Sequence, residues 1–161
     1  ESGKIELALE KIDIFDVIDE TIRLIKERAD DAGVILTTDL KNDLPYLVVD
    51  KRSLKQMLIN LLSNAVKFTS PGGTISLAVS ANEDDGLVIS VVDTGIGMDE
   101  EDIPVALSIF GQIESADAKF HHGTGLGLPL VKALAEAHSG SMEIESHRGI
   151  GTTVRLHIPV R

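Results

Sequence analysis

Residues Asp93-Thr94-Gly95-Ile96-Gly97 decide the reading of this chain, because they break off the apolar run Leu87-Val-Ile-Ser-Val-Val92 that leads into them. Such a run, bounded by turn residues, predicts a buried strand, and Asp-x-Gly-x-Gly does not continue one. Asp93 therefore belongs at a strand end. It is either a turn residue capping its own loop, or a carboxylate offered to a ligand at the sheet edge. In the second case Gly95 and Gly97 let the backbone approach a ring where a Cβ would intrude. The carboxylate would then accept the N6 amino hydrogens of adenine and reject guanine, which presents an acceptor at that edge.

Two partners flank it. Upstream, Asn60-Leu-Leu-Ser-Asn64-Ala-Val-Lys67-Phe68 lies in a helix predicted over 51–68, with Leu54, Met57, Leu58, Leu61, Ala65 and Phe68 as its buried stripe. Gln56, Asn60, Asn64 and Lys67 step along an adjacent stripe. Asparagine is a mediocre helix former, so a solvated face is the plain explanation. Lys67 on the same stripe and the glycine-rich loop that follows favour a chemical one. An amide oxygen suits a partly hydrated magnesium ion that bridges phosphates, and Lys67 would bring positive charge to a phosphate. Phe68 either joins the core or lies along the base.

Downstream, Gly123-Thr124-Gly125-Leu126-Gly127-Leu128 runs straight into a helix predicted over 125–138. Its glycine spacing is not that of a dinucleotide fingerprint, and no Gly-Lys-Ser/Thr follows as in a P-loop. Free amide hydrogens and the positive helix end can still face phosphates there; a plain helix start is the alternative.

The bulk properties bound the rest. The chain has 161 residues, enough for one domain with a real core, and 43% hydrophobic against 25% charged residues predict a folded chain. Aromatics are 3%, so the core is aliphatic, and the absence of cysteine removes disulfides, thiolate catalysis and thiolate metal sites. A net charge of −11 argues against a nucleic-acid surface. No apolar run reaches the roughly 18 residues a membrane span needs, and no direct membrane contact is expected. A triphosphate can be held by so acidic a chain only where local donors and a cation override its field.

Further elements are expected as a strand over Ser2–Lys11 and a helix from Asp16 to Ala32, capped by Asp16, with Val17, Ile18, Ile22, Leu24, Ile25 and Ala29 inward. Strands are expected over 34–40, 46–49, 74–81, 87–92, 142–145 and 152–158, with a hairpin turn at 82–86. A short helix over 98–107 should be interrupted by Pro104, and 108–122 reads as a long loop. The sum is an α+β fold, an α/β sandwich of three helices on one mixed, mostly antiparallel sheet.

In this order, the three motifs resemble the catalytic ATP-binding domain of sensor histidine kinases, within a superfamily that includes DNA gyrase B and the MutL mismatch-repair proteins. Asn60–Thr69 is similar to the N box, Asp93–Gly97 to the first glycine box, Ile109-Phe110 to the phenylalanine box and Gly123–Leu128 to the second glycine box. Gly149-Ile-Gly-Thr-Thr153 is similar to the closing hairpin. Phe110-Gly-Gln-Ile-Glu-Ser115 with Gly127-Leu-Pro-Leu-Val-Lys132 most resembles alphaproteobacterial cell-cycle sensor kinases of the PleC, DivJ and DivL group.

The resemblance implies a Bergerat-type sandwich over 1–161, with residues 108–124 as a mobile ATP lid. It implies Asn64 as the Mg2+ ligand, Asn60 and Lys67 as catalytic phosphate-side contacts and Asp93 as the adenine anchor. Phe68, Gly95, Gly97, Lys119, Gly123, Thr124, Gly125, Leu126 and Gly127 complete the expected ATP site. Hydrolysing relatives carry a Glu where this chain has Asn60; an amide takes no proton from water, which favours a kinase over an ATP-hydrolysing clamp. Lys119-Phe120 departs from the usual Arg-Lys, and Lys119 lacks the guanidinium fork. His122 stands where Gly or Glu is common. Both departures favour the alternative of a degenerate kinase domain that signals by contact. None of the five histidines (121, 122, 138, 147, 157) has the context of a phosphoacceptor. The acceptor is expected in a dimerisation domain upstream of Glu1. The fragment is then expected to be monomeric, its parent a cytoplasmic homodimer paired with a response regulator, with membrane anchoring of the parent left open.

Overall fold

The structure is a computed structural model that describes residues 5–82, 86–107 and 127–159. Strand β1 (Leu9–Ile12) leads into helix α1 (Ile14–Ala32), β2 (Ile35–Leu40), β3 (Leu47–Asp50) and α2 (Lys51–Phe68). A hairpin of β4 (Thr74–Ala81) and β5 (Leu87–Asp93) follows, then a 3-10 turn (Glu100–Asp102) and α3 (Ile103–Leu107). Helix α4 (Gly127–Ala137), β6 (Ser141–His147) and β7 (Gly151–Ile158) complete the described chain.

Helix α1 starts two residues before its expected position. Asp13, extended at φ −94° and ψ 118°, accepts Phe15 N on its side chain, so Asp13 rather than Asp16 is the cap. Asp16 instead lies in the first turn, where its charge complements the dipole. Gly33 closes the helix at φ 73°, a left-handed terminus. Leu24, expected inward, is 56% exposed; Thr21 takes the inner position and donates its hydroxyl to Val17 O at 2.8 Å. The α2 bounds match the expected ones, with Asp50 accepting Ser53 N at 2.9 Å as the cap.

The strands form two sheets, not the single sheet expected. Five lie in the order β2-β4-β5-β7-β6, with β2 parallel to β4 and the other neighbours antiparallel. The other two, β1 and β3, pair antiparallel by themselves. Of the strand expected over Ser2–Lys11, residues 5–8 are not strand and 2–4 lie outside the described residues; β1 pairs with β3 only over Leu9–Ile12. Pro104 does not interrupt α3 but sits in its first turn, where a missing N–H costs no hydrogen bond. The core between helices and sheet is aliphatic: Ile18, Ile25, Leu54, Leu58 and Leu62 meet Ile75, Leu77, Ile89, Leu156 and Ile158. Burying a side chain of this size contributes about 1.5–3 kcal/mol. Phe68 is absent from this core and only half-buried, which corrects its expected place in the inner stripe. Among the described residues no helix is long and apolar enough to cross a membrane.

Candidate nucleotide site

The end of α2, the end of β5 and the start of β7 meet at one place. Asp93 pairs with Thr152 across β5 and β7. Its Oδ1 accepts Gly95 N at 2.8 Å and Thr152 N at 3.3 Å, so the carboxylate does cap its own loop. Its Oδ2 accepts nothing from the described residues, which leaves one oxygen for a ligand. The carboxyl is half-buried, and loss of water pushes its pKa above the ordinary carboxylate range while the two amides draw it back. One oxygen of the carboxyl thus caps the loop, and the other has no partner among the described residues.

The loop after Asp93 is pinned from both sides. Ile96 N donates to Phe68 O at 3.1 Å, at the carbonyl end of α2. Gly95 lies against that same carbonyl, where a Cβ would collide, so its smallness serves the chain's own packing. Gly97, at φ 69°, lies on the carbonyl of His147, which again excludes a Cβ. The hairpin between β6 and β7 grips the far side. Gly149 N donates to Ile96 O at 2.7 Å, and Met98 N donates to Ser146 Oγ at 2.7 Å. Arg148 reaches Asp99 with Nε at 3.1 Å and Asp102 with Nη2 at 3.4 Å.

Asn60 and Asn64 are partly exposed on α2, and neither amide has a hydrogen bond to the described residues. Gly127 opens α4 beside Asn64: a Cβ there would stand 3.2 Å from Asn64 Nδ2, in the space the amide uses. That cradle, one hard amide ligand beside a helix start, fits a hydrated Mg2+ carrying phosphates. Lys67 is exposed, its ammonium 5.7 Å from the Phe68 ring centre. Among the described residues, Asp93, Gly95 and the Phe68 carbonyl are therefore in direct contact at one end, with Gly97 on the His147 carbonyl just beyond, and Asn64 and Gly127 lie together at the other. Helix α2 carries Asn60, Asn64, Lys67 and Phe68 along one rod. Lys119, Gly123, Thr124, Gly125 and Leu126, with the lid and the phenylalanine box, lie outside the described residues.

The start of α2 is fixed by groups that pattern reading missed. Asp50 Oδ2 accepts Ala8 N at 2.9 Å while Oδ1 accepts Ser53 N at 2.9 Å. Those two amides, Ala8 first, hold the Asp50 carboxyl below its ordinary range. Asp50 N donates to Nε2 of His138 at 3.1 Å, and the buried ring bonds Leu134 O through Nδ1 at 2.8 Å. Only the neutral Nδ1–H tautomer satisfies both contacts. Thr152, Ser146, Arg148 and His138 carry no periodic signal. Only the register Asp93↔Thr152 could have exposed Thr152, and that needs the strand order.

The family described as histidine kinase-, DNA gyrase B- and HSP90-like ATPase matches residues 49–161. The chain belongs to that family. The chain is 42% identical over 164 residues to the non-motile and phage-resistance protein of Caulobacter vibrioides, covering 100% of this chain and 19% of that protein. It is 40% identical over 167 residues to the cell-division control histidine kinase PdhS of Brucella canis, covering 99% of this chain and 16% of that one. The chain thus spans less than a fifth of the curated relatives it matches. Among solved structures, full-length ShkA in complex with AMPPNP superposes with a TM-score of 0.85 at 31% identity, over 97% of this chain and 32% of that one. The catalytic domain of histidine kinase ThkA gives 0.83 at 24% identity, over 96% and 97%, a likeness of fold. The expected α+β sandwich is therefore that of histidine kinase catalytic domains.

Proposed function

We propose that this chain is the ATP-binding catalytic domain of a two-component sensor histidine kinase, and that it hands the γ-phosphoryl group to an acceptor side chain in a separate dimerisation domain. The single observation that carries the adenine half is the half-buried Asp93, with one oxygen committed to backbone amides and the other unclaimed by the described residues. Oδ2 would accept the N6 hydrogens, in a loop whose shape is already set by Phe68 and the β6–β7 hairpin. Asn64 would hold the metal, and Asn60 and Lys67 would orient the phosphates, with Gly127 leaving space beside them. Lys119 and residues 123–126 would add a cation and loop amides. Magnesium, when bound, neutralises charge on the phosphates.

Phosphoryl transfer asks the protein mainly for position and charge. The chain's own groups would align the γ-phosphorus with an incoming nucleophile, and Asn60, unable to accept a proton, would leave water inactive. The parent protein would be a cytoplasmic homodimer serving a response regulator. Likeness to PdhS supports a place among the cell-cycle kinases.

Calorimetry of this chain with ATP, with and without Mg2+, tests the reading, with Asp93→Asn as control. Expected are magnesium-dependent binding, loss of binding in the variant, and transfer of label to an added acceptor domain. Equal affinity of wild type and variant would remove the adenine anchor and the reading with it.

A further inference from the structure

Ser146 lies outside every motif, yet its buried hydroxyl joins three segments at the edge of the adenine site. It accepts Met98 N at 2.7 Å, stands 2.7 Å from Thr152 Oγ1 and reaches Gly151 O at 3.2 Å. A serine hydroxyl has one proton and two acceptor positions. Met98 N occupies one acceptor position. Gly151 O can only accept, so it takes the Ser146 proton. The remaining contact then requires Thr152 to donate to Ser146. This is the one arrangement that uses all three contacts, and a buried hydroxyl without its bonds is costly.

The consequence falls on Asp93. Thr152 stands directly opposite it in the β5–β7 register, so the two side chains share one face of the sheet. With its proton turned to Ser146, Thr152 Oγ1 offers only lone pairs to whatever lies beside Asp93. We propose that Ser146 is a specificity-determining positioning residue: by fixing the Thr152 proton inward, it makes the floor of the base site a pair of acceptors, Asp93 Oδ2 and Thr152 Oγ1. Such a floor favours a purine with an amino group at position 6 and opposes one with a carbonyl oxygen there. The carboxylate alone gives part of this selection; the oriented hydroxyl adds to it, because a free threonine would rotate and donate to a carbonyl.

The proposal rests on the adenine reading of Asp93, and the experiment separates the two. Affinities for Mg-ATP and Mg-GTP are measured for wild type, Ser146→Ala, Thr152→Val and the double variant. Ser146→Ala should reduce the ATP-over-GTP preference by about tenfold, the scale of one neutral hydrogen bond. In the Thr152→Val background the same change should have no effect on the ratio, since no proton is left to orient. Equal weakening of both nucleotides by Ser146→Ala, or an unchanged effect in the Thr152→Val background, would reduce Ser146 to a structural residue. A wild type that binds neither nucleotide overturns the adenine reading instead. The orientation is then still read from the nucleotide-free protein, in which NMR should show a slowly exchanging Thr152 hydroxyl proton that is lost in Ser146→Ala. Absence of that proton in the wild type sinks the proposal.

Discussion

At the scale of single residues, Asp93 separates binding from stability. Its carboxyl is held above the ordinary carboxylate range by burial, so the folded chain binds that proton more tightly than the unfolded chain. The sign follows from linkage: the stabilising protonated form is present below the unfolded pKa and lost as pH rises through the folded one. At neutral pH the ionised group is therefore a cost. Asp93→Asn keeps an oxygen for Gly95 N and Thr152 N, so it should be at least as resistant to urea as wild type at pH 7. That advantage should shrink as the pH falls through the window between the raised folded-state pKa and the ordinary carboxylate value. The same variant should bind Mg-ATP about 10- to 100-fold more weakly, the scale of a hydrogen bond to a charged group. A variant that loses stability at pH 7 would contradict the burial argument. Asn64→Ala should remove the magnesium dependence of ATP affinity while shifting the melting temperature little, because the amide makes no bond to the described residues. Calorimetry with and without the metal decides it.

At the scale of elements, two junctions set where the site residues stand. Asp50 ties the segment before β1 and the first turn of α2 to one carboxylate. Its lowered pKa gives stability that is present above the unfolded pKa and lost as pH falls through the folded value. Asp50→Ala should cost about 1–2 kcal/mol, the scale of a lost cap, and lower the melting temperature by roughly 2–8 °C. A change under half a degree in calorimetric scans would rule that role out. Arg148 joins the β6–β7 hairpin to the turn at Asp99 and Asp102, but all three side chains are partly exposed, so the pair contributes less than about 1 kcal/mol after screening. Arg148→Ala should therefore speed amide exchange at Ile96 and Met98 with little change in global unfolding. Uniform exchange across the chain would show that the clamp is not local.

These junctions also mark the limit of pattern reading. The bounds of α2 and the β4–β5 hairpin were legible because capping, period and turn chemistry all lie within a few residues of each other. The end of β5 at Asp93 was legible for the same reason. The separate β1–β3 sheet, Ser146 under Met98 and His138 under Asp50 depend on partners 35 to 88 positions away. No local signal reports such partners. Leu24 failed for a related reason: it satisfies the composition of an apolar face but is rotated off the side that meets α2.

At the scale of the whole molecule, the chain should bind Mg-ATP, remain monomeric in sedimentation and fail to label itself with radioactive ATP, since none of its histidines has the setting of an acceptor. Self-labelling would overturn the assignment of the acceptor to another domain. Helix α2 has 18 residues and so runs about 27 Å. One end is held by Asp50, His138 and the strand that precedes α1; the carbonyl at the other receives the backbone of Ile96. A rod anchored at both tips passes on torsion rather than stretch. A small roll imposed where the chain enters would swing the amides of Asn60 and Asn64 sideways and tug the Asp93 loop in the same stroke.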